Sequence, residues 1–159
     1  MVIAVYSLAV LVGILAGFRS LAAPAAVSWA AHLGVLELRG TWLAFLGTAY
    51  MPWILTALAI GEFITDQLPT TPSRKQPLPF SARLVSGALS GAAIGVSIGS
   101  WPGGLVAGAL GAVLGTLGGY ELRRRLAARF HKDRPAALVE DTATVVGLLF
   151  VVLALTSLA

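Results

Sequence analysis

No charged residue occurs between Arg39 and Glu62, between Arg83 and Glu121, or after Asp141. Runs of this length have no place in a water-soluble domain of 159 residues, and with 57% hydrophobic against 11% charged residues they dominate the chain. A helical crossing of a bilayer needs about 20 apolar residues, so the runs leave room for five or six crossings in a single integral membrane domain, residues 1–159. They are rich in Ala, Leu and Gly and lack the apolar/polar alternation of a membrane barrel. An all-α, polytopic bundle follows, because a helix satisfies its own backbone hydrogen bonds in lipid.

The pattern predicts helices over about 2–17, 20–36, 42–66, 83–100, 103–121 and 137–158. A secretory leader would open with basic residues, but the first positive side chain is Arg19, so residues 1–17 read as a retained crossing. Arg74, Lys75 and Arg83 cluster before the fourth helix, and Arg123, Arg124, Arg125, Arg129, Lys132 and Arg134 cluster before the sixth, which assigns both regions to the cytoplasm. The uncharged turn "GSWPGG" at 99–104 belongs at the opposite interface. For residues 18–40 two arrangements stand: a tight turn at "GFRSLAAP" makes a helical hairpin and six crossings, whereas a surface or re-entrant segment makes five.

With six crossings the chain divides into residues 1–68 and 83–159, joined by a cytoplasmic loop, and the two sets of three would be inverted repeats of the kind found in transporters. Strict inversion conflicts with the acids. Glu62 and Asp66 end one helix, whereas Glu140 and Asp141 begin another.

Eleven of the eighteen glycines lie between 87 and 119. Gly87, Gly91, Gly95 and Gly99 repeat every fourth residue, Gly104 and Gly108 continue the spacing, and Gly111, Gly115 and Gly119 continue it after one change of phase. Such rows let helix backbones approach closely where lipid supplies no hydrophobic drive for association. A tight helical hairpin uses them fully; a homodimer seam or a sliding surface between halves uses the same groove.

Glu62 and Asp66 are four residues apart and share a helical face. They stand in the last turns of their helix, where the dipole disfavours negative charge, and near hydrocarbon they need a cation, water or a shared proton. Arg19 and Arg83 fall at the same depth, as do Glu140 and Asp141. Each has a plain structural use: arginine as an interfacial anchor, and acids in the first turn of the sixth helix as complements to its dipole. Together the six residues form a candidate site for an ion or a polar solute.

Trp42, Tyr50, Trp53 and Trp101 fit interfacial belts, and His32 fits the outer interface. With no cysteine and two separated histidines the chain offers no disulfide and no metal-ligand spacing, so no cofactor is implied. No nucleophile–base pair, phosphate-cradling loop or HExxH motif appears, which leaves a catalytic role without support. The excess of four positive charges lies in loops beside apolar segments, which points to membrane lipid rather than nucleic acid. The run "ELRRRLAARFHKDRP" either prolongs the fifth helix or lies along the lipid surface.

Gly17, Arg19 and Pro24 in "GFRSLAAP", with Glu62, Asp66 and Pro69 in "GEFITDQLPTTP" and a later glycine-rich hairpin, resemble a family of small bacterial multi-pass membrane proteins catalogued as a domain of unknown function. The resemblance implies a bacterial inner-membrane protein and brings no substrate. From the residues themselves, a small transporter or channel-like protein is expected, with a non-transporting module that binds lipid or a partner protein as the alternative.

Overall fold

The computed structural model describes residues 1–65, 76–130 and 133–158, and among them every regular element is helical. In chain order these are α1 (Val2–Phe18), α2 (Ala22–His32), a single 3-10 turn (Ala44–Gly47), α3 (Met51–Thr65), α4 (Pro77–Val96), α5 (Trp101–Phe130) and α6 (Asp133–Thr156).

The boundaries depart from the hydropathy pattern where local chemistry intervenes. Pro52 occupies the first turn of α3, so the helix starts at Met51 rather than near 42, and residues 42–50 run through the 3-10 turn instead. Pro77 likewise opens α4 six residues before the expected start, with Gln76 extended ahead of it (φ −66°, ψ 147°). α2 stops at His32, and its 11 residues cover only about 16 Å. The connection beyond it is irregular yet tucks Leu36, Leu38, Leu43 and Leu46 into the core. α5 continues through the arginines to Phe130, and α6 begins at Asp133, so Glu140 and Asp141 lie beyond the first turn of their helix. That removes the dipole explanation for these two acids, since the effect fades within one turn.

The centre of the fold is the packing of α1, α4 and α5. α5 runs parallel to α1, with Val10 beside Gly111, Ile14 beside Gly115 and Phe18 beside Gly119. It runs antiparallel to α4, with Gly91 and Gly95 against Gly104 and Gly87 against Gly108. The phase change in the glycine pattern thus has a geometric meaning: Gly104 and Gly108 face α4, while Gly111 and Gly115 face α1. A Cβ at any of these four would strike a neighbouring backbone. Both rows are filled by helices of the same chain, which is the tight-hairpin use of the spacing extended to a third helix. Gly99 serves otherwise, adopting φ 68° to end α4 while the Ser100 N–H donates to the Gly95 carbonyl at 2.9 Å. Gly118, by contrast, faces open space on α5, so Gly118→Ala is expected to raise the melting temperature slightly, by the equivalent of about 0.5–1 kcal/mol.

α6 packs antiparallel against α1, with Gly147 on Leu15 and Asp141 at Arg19. α1 therefore binds chiefly to α5, α4 and α6. The bundle has two distinct ends. Met1, Val35, Ile98 and Leu158 meet at one, together with Trp101 edge-on to Trp42 at 5.7 Å between ring centroids. The α1–α2 turn, the end of α3 and the acids of α6 meet at the other. Arg19, Arg83 and Glu140 are buried within an otherwise mainly apolar core, while Leu110, Leu114, Val146, Phe150 and Leu153 are exposed. Among the described residues, two helical stretches are long and apolar enough to cross a membrane, Trp101–Arg129 and Pro135–Thr156, and α1 and α3 are shorter apolar helices.

Candidate functional site

Three residues, Arg19 to Leu21, separate α1 from α2. α1 ends because Arg19 leaves the helical region (φ −137°, ψ 109°) while its N–H still donates to the Leu15 carbonyl at 2.9 Å. Ser20 and Leu21 complete the turn, and Pro24 in the first turn of α2 sets the direction of return. The tight turn expected at "GFRSLAAP" is therefore present, and it places the Arg19 side chain wholly inside the protein, 0% exposed.

The Arg19 guanidinium meets α6. Its Nε donates to Asp141 Oδ1 at 2.8 Å, and a terminal nitrogen donates to the same oxygen. The Phe63 ring of α3 lies 5.1 Å from the guanidinium carbon, within cation–π range. Glu62 binds the turn rather than the arginine head. Oε1 accepts from the Ser20 N–H at 2.8 Å and from the Ser20 hydroxyl at 2.7 Å, and Oε2 accepts from the Leu21 N–H at 2.8 Å. Both carboxylate oxygens are thus engaged.

This geometry explains why Glu62 is tolerated in the last turns of α3. Its carboxylate leaves the negative end of its own helix and binds amides at the entrance to α2, the positive end of the next one. Each bond is charge-assisted, worth about 1.5–3 kcal/mol. A cost visible within one helix is offset by its neighbour.

The remaining candidates are arranged around this centre. Glu140 is 4% exposed, faces Gly119 of α5, and pairs with Arg123 at 3.7 Å. Arg83 is buried and donates to the Pro79 carbonyl of its own helix at 3.4 Å. Asp66 lies outside the described residues. Arg19 and Asp141 are thus brought into direct contact, Glu62 joins them through the backbone of the turn, and Glu140 reaches a cation of its own.

Sequence reasoning missed three participants. The charge pattern groups Arg123 with the loop arginines, yet Glu121 binds Arg124 and Arg125 at 2.9 and 2.7 Å, and Arg123 turns inward to Glu140. Continuing the α5 periodicity through "ELRRR" would have revealed that inward face. Ser20 carried the signal of a small polar residue just before a proline-initiated helix, although its donors serve Glu62 rather than its own helix. Phe63 carried no signal, since one more aromatic residue in an apolar helix is unremarkable.

Chemically, the arrangement joins two acids and one arginine across four helices in a poorly solvated setting, where interactions between charges strengthen. It holds a carboxylate against a turn of backbone donors. Among the described residues no group of three or more acids and histidines is spaced to hold a metal ion. No family model, curated protein or solved structure matches the chain.

Proposed function

We propose that this chain is a six-crossing protein of the bacterial inner membrane that moves a small ion or polar solute through a polar site at the Arg19 end. The observation carrying this reading is a fully buried arginine at the mouth of a helix of only 11 residues, followed by irregular backbone that is nevertheless packed inside. Broken crossings whose helix ends converge on charged groups are a recurrent construction of transport sites, and irregular backbone at membrane depth persists only within protein or beside water. The exposed leucine and valine faces of α5 and α6 favour lipid as the surrounding medium.

α5 is 30 residues long, about 45 Å, which exceeds the hydrocarbon thickness by roughly ten residues. Its last turns carry the exposed Arg124 and Arg125, and anionic phospholipid headgroups of the cytoplasmic leaflet are their natural partner. This assignment puts the Arg19 end on the cytoplasmic side.

A second reading is favoured by the completeness of the bonding: Glu62 and Asp141 are each engaged, as in a static clamp that locks helix ends together. Flux measurements separate the two. Vesicles containing the purified protein and a trapped pH-sensitive dye are expected to report flux driven by a proton, sodium or potassium gradient. Glu62→Gln, Asp66→Asn and Asp141→Asn are expected to lower that flux at least about tenfold while melting as folded proteins. Absence of flux from the unmodified protein, with unfolding of the variants, establishes the clamp instead.

A further inference from the structure

We propose that α3 is a gate over the Arg19–Asp141 pair and that Glu62 is its latch; the inference deepens the transport reading and rests on it. The helix is held unlike any other in the bundle. Only Pro52 and Ala59 are buried among its 15 residues, whereas seven of the 11 residues of α2 are buried. Among the described elements its main packing is with α2 and the 3-10 turn, not with the glycine-packed centre of α1, α4 and α5. Trp53, Ile54, Leu58, Ile60 and Ile64 are exposed, so little apolar area opposes its displacement.

The contacts that do hold α3 are distributed unevenly along it. Toward its start, Trp53 stacks edge-on against Trp29 at 5.0 Å, and Trp29 Nε1 donates to Thr56 Oγ1 at 3.0 Å. These contacts form a pivot. Toward its end, attachment passes to Glu62, bound to Ser20 and Leu21, and to Phe63 over Arg19. A swing about the pivot withdraws the carboxylate and the ring together. It bares the two turn amides, the Ser20 hydroxyl and the face of the Arg19 guanidinium, while the Arg19–Asp141 contact between α1 and α6 stays in place. The latch is polar and directional, so it engages or releases as a unit, which gives two discrete positions rather than a continuum.

The chain contains no cysteine, so single cysteines report local opening without interference. Ala59→Cys places a thiol on the buried face of α3, and Ala9→Cys places one in the core of α1, where the residue is 0% exposed. Labelling of each by a membrane-permeant maleimide is measured in vesicles, with Glu62 intact and with Glu62→Gln. Glu62→Gln is expected to speed labelling at position 59 at least about tenfold, the equilibrium equivalent of one lost charge-assisted hydrogen bond, and to leave position 9 slow. An unchanged rate at 59, or equal acceleration at 9, overturns the proposal. If Glu62→Gln does not yield folded protein, Ser20→Ala removes one donor and leaves the carboxylate; it is expected to accelerate position 59 about threefold, and no acceleration overturns the latch. The labelling needs no flux, so failure of the gate and failure of the transport reading are separately visible.

Discussion

Gly108→Leu is expected to destabilise the purified protein by about 3 kcal/mol or more, and to reduce the yield of monodisperse material in detergent. A Cβ at this position would collide with the Gly87 carbonyl oxygen and the Gly91 Cα, both backbone atoms that no side-chain rotation can relieve. Relief requires α4 and α5 to separate along their length. That separation would also carry α1 away, because Gly108 lies against Gly13 as well. In lipid, where apolar area gains little by moving from bilayer to protein, the lost close contact has no substitute. Thermal melting of Gly108→Leu beside Gly118→Ala on the open face of the same helix isolates packing from helix propensity. Equal melting temperatures for the two would refute the packing account.

Removing Asp141 is the second large perturbation. Asp141→Ala deprives the buried Arg19 guanidinium of its carboxylate on α6, and loss of one partner from a buried ion pair costs about 3 kcal/mol. The cost lies mainly in leaving a buried guanidinium with one carboxylate fewer, rather than in the missing contact itself. Accordingly, Arg19→Met combined with Asp141→Leu is expected to recover most of the lost stability, since apolar groups of similar volume replace a buried pair at little net cost. Unfolding of the four forms of this double-mutant cycle measures the coupling directly. If the double variant is as unstable as Asp141→Ala alone, the arginine's role is not set by this pair. Restored stability without flux identifies the pair as functional, and restored stability with undiminished flux assigns it to the clamp.

Much of the architecture was legible because it depends on local periodicity. The apolar runs located the six helices of the described residues, the glycine spacing marked the close-packed faces, and the residues "GFRS" marked the turn between α1 and α2. Boundaries failed where one residue outweighed the run around it, as Pro52 does for α3 and Pro77 for α4. Of the residues singled out from the sequence, Arg19 and Asp141 meet directly and Glu62 binds the adjoining turn, while Asp66 lies outside the described residues. The sequence places Arg19 beside Glu62 and Asp66; Glu62 binds the Arg19 turn through Ser20 and Leu21 rather than the guanidinium.

By itself the sequence determined that the described elements are helical and which faces of α4 and α5 admit another backbone. Each of these follows from residue spacing along one helix. Only the tertiary structure decided that Arg19 meets Asp141 across a separation of 122 residues, and that Glu62 caps the entrance to α2. Such pairings depend on the rotation of each helix about its own axis relative to its neighbours. The glycine faces fix α1, α4 and α5 against one another, while α6 and α3 are set by their own contacts, Gly147 on Leu15 and Trp29 with Trp53 and Thr56, a property of the packed bundle that no single helix contains.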